Sequence, residues 1–129
     1  MNVSRILVPV DYSEQSRRAL EYGAALAEAF GAPIDVDDGL PEGRVDALFL
    51  PDGSLLVAWL EHAGDGAAWR CRRVRTDGTI APSLALASTT AARSAGYLRM
   101  ARAGSDTIAA WTDVGPPSRV RVARVRPTN

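Results

Sequence analysis

The sequence predicts an α+β protein, and three observations carry that expectation. Residues 2–36, NVSRILVPVDYSEQSRRALEYGAALAEAFGAPIDV, read as strand, helix and strand in succession. From residue 44 the hydrophobic period changes to two, the mark of antiparallel strands with one buried face. Within that second stretch a pattern of 52 residues starts again. The expected order is a β-α-β segment at 1–36, an acidic linker at 37–43, and a two-part repeat at 44–129, divided into 44–92 and 93–129.

The elements follow from local chemistry. Ile6-Leu-Val-Pro-Val10 is a short continuous apolar run of the kind buried on both faces of a parallel sheet. Ser13 is a suitable N-cap for a helix over residues 14–30, where Leu20, Ala24, Ala27 and Phe30 form one apolar stripe. Gly31 is the expected terminator, and Pro33–Val36 the second strand, reached by a right-handed crossover. Beyond the linker, Asp46–Leu50 and Ser54–Leu60 flank the turn signal Pro51-Asp-Gly53. Ala67–Arg75 is a third strand, closed by Thr76-Asp-Gly78, and Ser83–Ala87 a short fourth. Leu98–Arg102, Thr107–Asp113 and Arg119–Arg126 then repeat the first three, with Trp59 and Trp111 in register and a one-residue slip in the last.

Bulk properties narrow the function classes. A chain of 129 residues with 47% apolar and 23% charged residues suits one globular domain and argues against disorder. All 15 basic residues are Arg, and the zero net charge hides an asymmetry: residues 1–62 hold four Arg against eleven acids, residues 63–129 eleven Arg against four acids. That split favours attraction between the halves, within or between chains, over short range. Cys71 is the single cysteine, so no intramolecular disulfide framework forms. No run approaches the ~20 apolar residues of a membrane helix, and no signal pattern opens the chain, so a cytoplasmic protein without membrane partners is expected.

The residues Ile6-Leu-Val-Pro-Val-Asp11, Ser13, Arg18–Tyr22, Ala24–Ala29 and Gly31-Ala32 resemble the start of the universal stress protein family. The resemblance implies that Asp11, at the end of the first strand, contacts the adenosine of ATP. A carboxylate there, beside a helix N-terminus, lies in the crevice where open α/β sheets hold ligands. The family's later phosphate loop, GxxGx9G followed by Ser or Thr, has no counterpart after residue 36. Without that backbone cradle for phosphates, tight ATP binding loses its main support. The alternative for Asp11 is a turn residue at the helix entry.

The repeat of 44–126, with its Pro-Asp-Gly-Ser-x-Leu-Val-x-Trp hairpin, resembles about two blades of the sialidase-like, BNR-type β-propellers of bacteria. The strands are then expected as propeller-blade-like meanders, too few to close a ring. The catalytic arginines, Tyr–Glu pair and acid Asp of true sialidases have no counterpart, and Tyr97-Leu-Arg-Met is a loose echo.

Other candidates read structurally. His62 has no partnered motif and is expected at the surface or in a structural role. Trp59 and Trp111 suit core packing better than sugar stacking, and the alignment of Cys71 with Val122 argues for a small buried hydrophobe at Cys71 rather than a reactive thiol. The Arg row at 70, 72, 73, 75, 119, 121, 124 and 126 lacks interleaved aromatics, so nucleic acid is not the expected partner. The resulting expectation is a non-enzymatic, stress-protein-like chain with weak nucleotide binding through Asp11, no metal, and self-association through open strand edges. The alternatives are a propeller-derived binding or assembly module, and a chimeric fusion without selected activity.

Overall fold

The computed structural model describes residues 14, 17, 18, 21, 23, 34–37 and 39–126. Among these residues seven antiparallel strands form two meanders. The first sheet contains β1 (Pro41–Phe49), β2 (Leu55–Ala63), β3 (Gly66–Val74) and β4 (Leu84–Thr89), in that spatial order. The second contains β5 (Arg99–Ala103), β6 (Asp106–Asp113) and β7 (Arg119–Val125), and a short 3-10 turn at Arg93–Ala95 lies between the sheets in sequence.

The turns explain why the chain reverses where it does. Asp52 accepts from the Ser54 N–H at 3.0 Å and the Ser54 hydroxyl at 2.6 Å, with Gly53 at φ +82°. Asp77 does the same with Thr79, at 2.9 and 2.7 Å, with Gly78 at φ +84°. In both, an Asp side chain mimics a backbone turn and glycine supplies the left-handed residue. The Ser54 and Thr79 bonds hold both exposed carboxyls below the usual carboxylate range.

Alternation then sorts the faces. Leu48, Leu56, Ala58, Leu60, Trp69 and Cys71 project from one face of the first sheet, and Leu98, Ala109 and Val125 from the second close over them as a single core. The opposite face of the first sheet presents Leu55, Val57, Trp59 and Val74. Its cover includes Ile34 and Val36, and Arg72 donates to the Val36 carbonyl at 2.7 Å. The Trp59 indole donates to the buried Glu61 carboxylate at 2.5 Å.

This architecture overturns the α+β expectation. Every described strand pairing is antiparallel, and no α-helical element stands among the described residues. Residues 34–36, expected as the second strand of a β-α-β unit, pair with no described strand. They lie across a sheet face because that face is apolar and needs cover, which Ile34 and Val36 provide. Of the expected helix, Glu14, Arg17, Arg18, Glu21 and Gly23 are described and locally helical, with Arg17 bridging Glu14 and Glu21. The first expected strand, with Asp11, and the remainder of the helix lie outside the described residues. β1 begins at Pro41, inside the expected linker, with a bulge at Gly43 and Arg44.

Leu56 is fully buried on a central strand. Leu56→Ala should therefore cost about 2–5 kcal/mol in urea unfolding, whereas Leu40→Ala, at a site 69% exposed, should change stability by less than about 0.5 kcal/mol.

Candidate functional site at the seam between the sheets

β1 and β5 meet at the seam between the meanders, and two side chains of β1 fasten it. Arg44 sits at φ +54°, a left-handed conformation that a non-glycine residue adopts at a cost. Its guanidinium donates to the carbonyls of Ala91 at 2.9 Å and of Ala92 and Gly96 at 3.1 Å. Three carbonyls of the inter-sheet connection converge on one planar cation, a geometry that guanidinium meets and ammonium does not. Two residues on, Asp46 accepts the Met100 N–H of β5 at 2.6 Å and the Ala47 N–H at 3.1 Å. Burial pushes the Asp46 carboxyl above its ordinary value, against the opposing pull of those N–H groups and of Arg99 and Arg18.

Beside this seam lies a cleft of about 350 Å³. Its walls include Arg18, Asp46, Phe49, Arg99, Met100 and Arg102. Three arginines, one aspartate and one aromatic residue therefore line the same cleft, Arg99 and Arg102 from alternate faces of β5. With Asp46 ionised the cleft carries a net positive charge, and with Asp46 protonated a larger one. Its size falls in the range of small-molecule sites, and its chemistry suits a ligand with an anionic group and a flat apolar body.

The residues singled out in the sequence are distributed otherwise. Asp11 lies outside the described residues. His62, at the end of β2, is half-exposed and paired with Glu42 of β1, and neither lines the cleft. Cys71 is buried on β3, and burial pushes its thiol up to about 11. Trp59 and Trp111 pack on different layers of the molecule, Trp59 beneath Ile34 and Val36 and Trp111 against the inter-sheet core. The Arg row is spent on local structure: Arg70 on the Ser83 hydroxyl at 2.6 Å, Arg73 on Asp52, Arg121 on Asp113 at 2.9 Å, and Arg124 on Asp106 at 3.2 Å.

Sequence reasoning missed Arg44, Asp46, Arg99 and Arg102. The available signal was weak: Gly43-Arg44 interrupts the alternation that begins at Val45, as a bulge does. Among the described residues no group of three or more His, Cys, Asp or Glu side chains gathers in a geometry that could hold a metal ion. No described helix is long and apolar enough to cross a membrane.

A family model described as the universal stress protein family matches residues 2–128. No curated protein and no solved structure matches the chain.

Four outcomes test this geometry. Arg44→Ala should lower unfolding stability by about 1.5–3 kcal/mol, the range of a charge-assisted hydrogen bond, partly offset by relief of the left-handed residue. Asp46→Ala should cost about 1–3 kcal/mol by leaving the Met100 N–H unpaired, whereas Asp46→Asn keeps an acceptor there. The native carboxyl retains its proton at pH values where the unfolded one has lost it. Wild-type stability from this group is therefore present below the ordinary 3.8 and falls as pH rises through the elevated native value. The stability of Asp46→Asn relative to wild type should rise across that window; identical pH profiles would refute the burial effect. Finally, the Cys71 thiol should resist a thiol reagent at pH 8 in the folded protein and react once urea unfolds it.

Proposed function

The chain belongs to the universal stress protein family, and from that premise we propose a non-catalytic stress-response protein that holds a nucleotide weakly at the seam between β1 and β5. The observation that carries this reading is the convergence of Arg18, Arg99 and Arg102 on one cleft. Guanidinium groups recognise phosphate oxygens in bidentate fashion, and their charge is independent of pH in the physiological range. Phe49 offers an apolar wall to a base, and Asp46 an acceptor to a ribose hydroxyl. Side-chain rather than backbone donors favour weak binding. Asp11, the position the family resemblance implies for adenosine, remains a proposed second contact. The absence of catalysis draws support from where the reactive side chains stand. Cys71 is buried with its thiol pushed up to about 11, and His62 pairs with Glu42 at the end of β2.

A second reading, a blade-like binding or assembly module, is favoured by one structural regularity. Ala110 pairs with Val122 in the second meander as Ala58 pairs with Cys71 in the first. Ile108, the match of Leu56, faces Ala101, one residue beyond Met100, the match of Leu48, so the first strand pair repeats with a one-residue slip. The sequence repeat is thus echoed in the pairing of the second and third strands of each meander.

Calorimetry separates the readings. ATP should bind with a heat that weakens as salt rises, and Arg102→Ala should reduce affinity about tenfold, the loss of one charge-assisted contact. Asp11→Ala should weaken it further if both groups touch the same ligand. An ATP titration without heat or thermal shift removes the nucleotide reading, and steady release of ADP by the pure protein removes the non-catalytic one.

A further inference from the structure

Asp46 is the one acid among the described residues that line the seam cleft, and it stands there with Arg18, Arg99 and Arg102. The arginines keep their charge throughout the accessible pH range, so a change of the cleft's charge with pH comes from this carboxyl. Its neighbours are uncharged, cationic or already engaged. Across the β1–β2 pairing it faces Ala58, and from β5 it meets the Met100 N–H. The positive charges of Arg99 and Arg18 act on it. On its own strand Arg44 is turned to the carbonyls of Ala91, Ala92 and Gly96.

The two oxygens of the carboxyl have different tasks. Oδ2 accepts the Met100 N–H at 2.6 Å and so fastens the seam. Oδ1 accepts the N–H of the adjacent Ala47 at 3.1 Å. The longer bond marks Oδ1 as the place for a proton, since a protonated oxygen keeps a lone pair for one weak donor. Oδ2 then holds Met100 as before. Protonation therefore removes a negative charge from the cleft without opening the seam. Partial burial already disfavours the ionised form, against the pull of the N–H groups and of the two arginines.

An anion anywhere in a cleft of about 350 Å³ lies within a Debye length, about 8 Å at physiological salt, of that carboxyl. Two negative charges at this range oppose each other, which raises the affinity of the carboxyl for a proton. We infer that an anion binding in the seam cleft takes up one proton from solvent at Asp46, so that this residue makes anion affinity rise in acid and fall in base. The inference rests on the anion-binding part of the nucleotide reading and adds how that site is regulated. The sign follows from linkage. Affinity is highest below the carboxyl's value in the free protein, falls up to its higher value in the complex, and levels off beyond. The fall is at most about tenfold per pH unit, the limit for one linked proton. A neutral carboxyl still offers acceptor lone pairs, so contact with a ligand hydroxyl survives the change.

Inorganic sulfate is the probe, because it stays a dianion over the range used and adds no titration of its own. Calorimetry of the full chain between about pH 4.5 and about pH 7.5 should show tighter sulfate binding at the acid end. The observed heat should differ between two buffers of unequal ionisation enthalpy, as proton uptake requires. In a carboxyl-carbon NMR titration, sulfate should move the midpoint of Asp46 upward. Asp46→Asn should bind sulfate with an affinity that no longer changes with pH and that matches the acid limb of wild type. A purely structural role for Asp46 would instead weaken binding at every pH. Should that variant not fold, the buffer and NMR readouts on wild type decide. Equal sulfate affinity at both ends, an Asp46 midpoint unmoved by sulfate, a pH dependence that persists in Asp46→Asn, or no sulfate binding overturns the inference. The nucleotide reading fails separately, by the absence of an ATP heat, and a proton-coupled sulfate site survives that result.

Discussion

The structure depends on keeping two small sheets in register along one seam, and Arg44 and Asp46 supply that constraint. Neither meander is large enough to bury its apolar face alone, since three or four short strands leave one side of every hydrophobic residue in water. Pressing the sheets together solves this for Leu56, Leu60 and Trp69 on one side and for Leu98, Ala109 and Val125 on the other. Apolar contact is non-directional, however, and would tolerate sliding. Hydrogen bonds from Arg44 to three carbonyls and from Met100 to Asp46 fix the offset between the sheets. The unusual backbone of Arg44 is the cost of aiming its side chain across the seam.

The same constraint creates the cleft. Holding β1 beside β5 brings Asp46 and Phe49 of one meander against Arg99 and Arg102 of the other, with Arg18 at the rim. Charges far apart in the sequence thereby meet in one place. The acidic and basic halves do make contact, through Arg73 with Asp52 and through Asp46 with its arginine neighbours. Much of the basic character is nevertheless spent inside its own half, by Arg121 on Asp113 and Arg124 on Asp106. Net charge by segment was therefore a poor guide to which residues pair.

Legibility differed sharply along the chain. The strands of the two meanders lie within a few residues of where alternation and the Asp-Gly turns place them, because both signals are local. The register of Ala110 on Val122 was legible too, as the one-residue slip in the repeat. Residues 34–36 misled. A run of Ile-Asp-Val satisfies the same alternation whether it pairs as a strand or drapes over a sheet, and only the exposed apolar face of β2 and β3 decides between them. The seam residues were illegible because a contact spanning about fifty positions, such as Arg44 with Gly96, leaves no mark in any local window.

By itself the sequence determined the turn positions, the strand pairing within each meander, the burial of the single thiol, and the family resemblance in its first thirty-odd residues. Each of these rests on neighbours or near-neighbours in the chain, where side-chain period and turn chemistry leave little choice. Only the tertiary structure decided how the two sheets pack on each other, that Ile34 and Val36 serve as cover, and that Asp46, Arg99 and Arg102 line one cleft. Those outcomes depend on which apolar faces find each other once the strands exist. Burial selects among such pairings by total area, a quantity that belongs to the assembled molecule and to no segment of it.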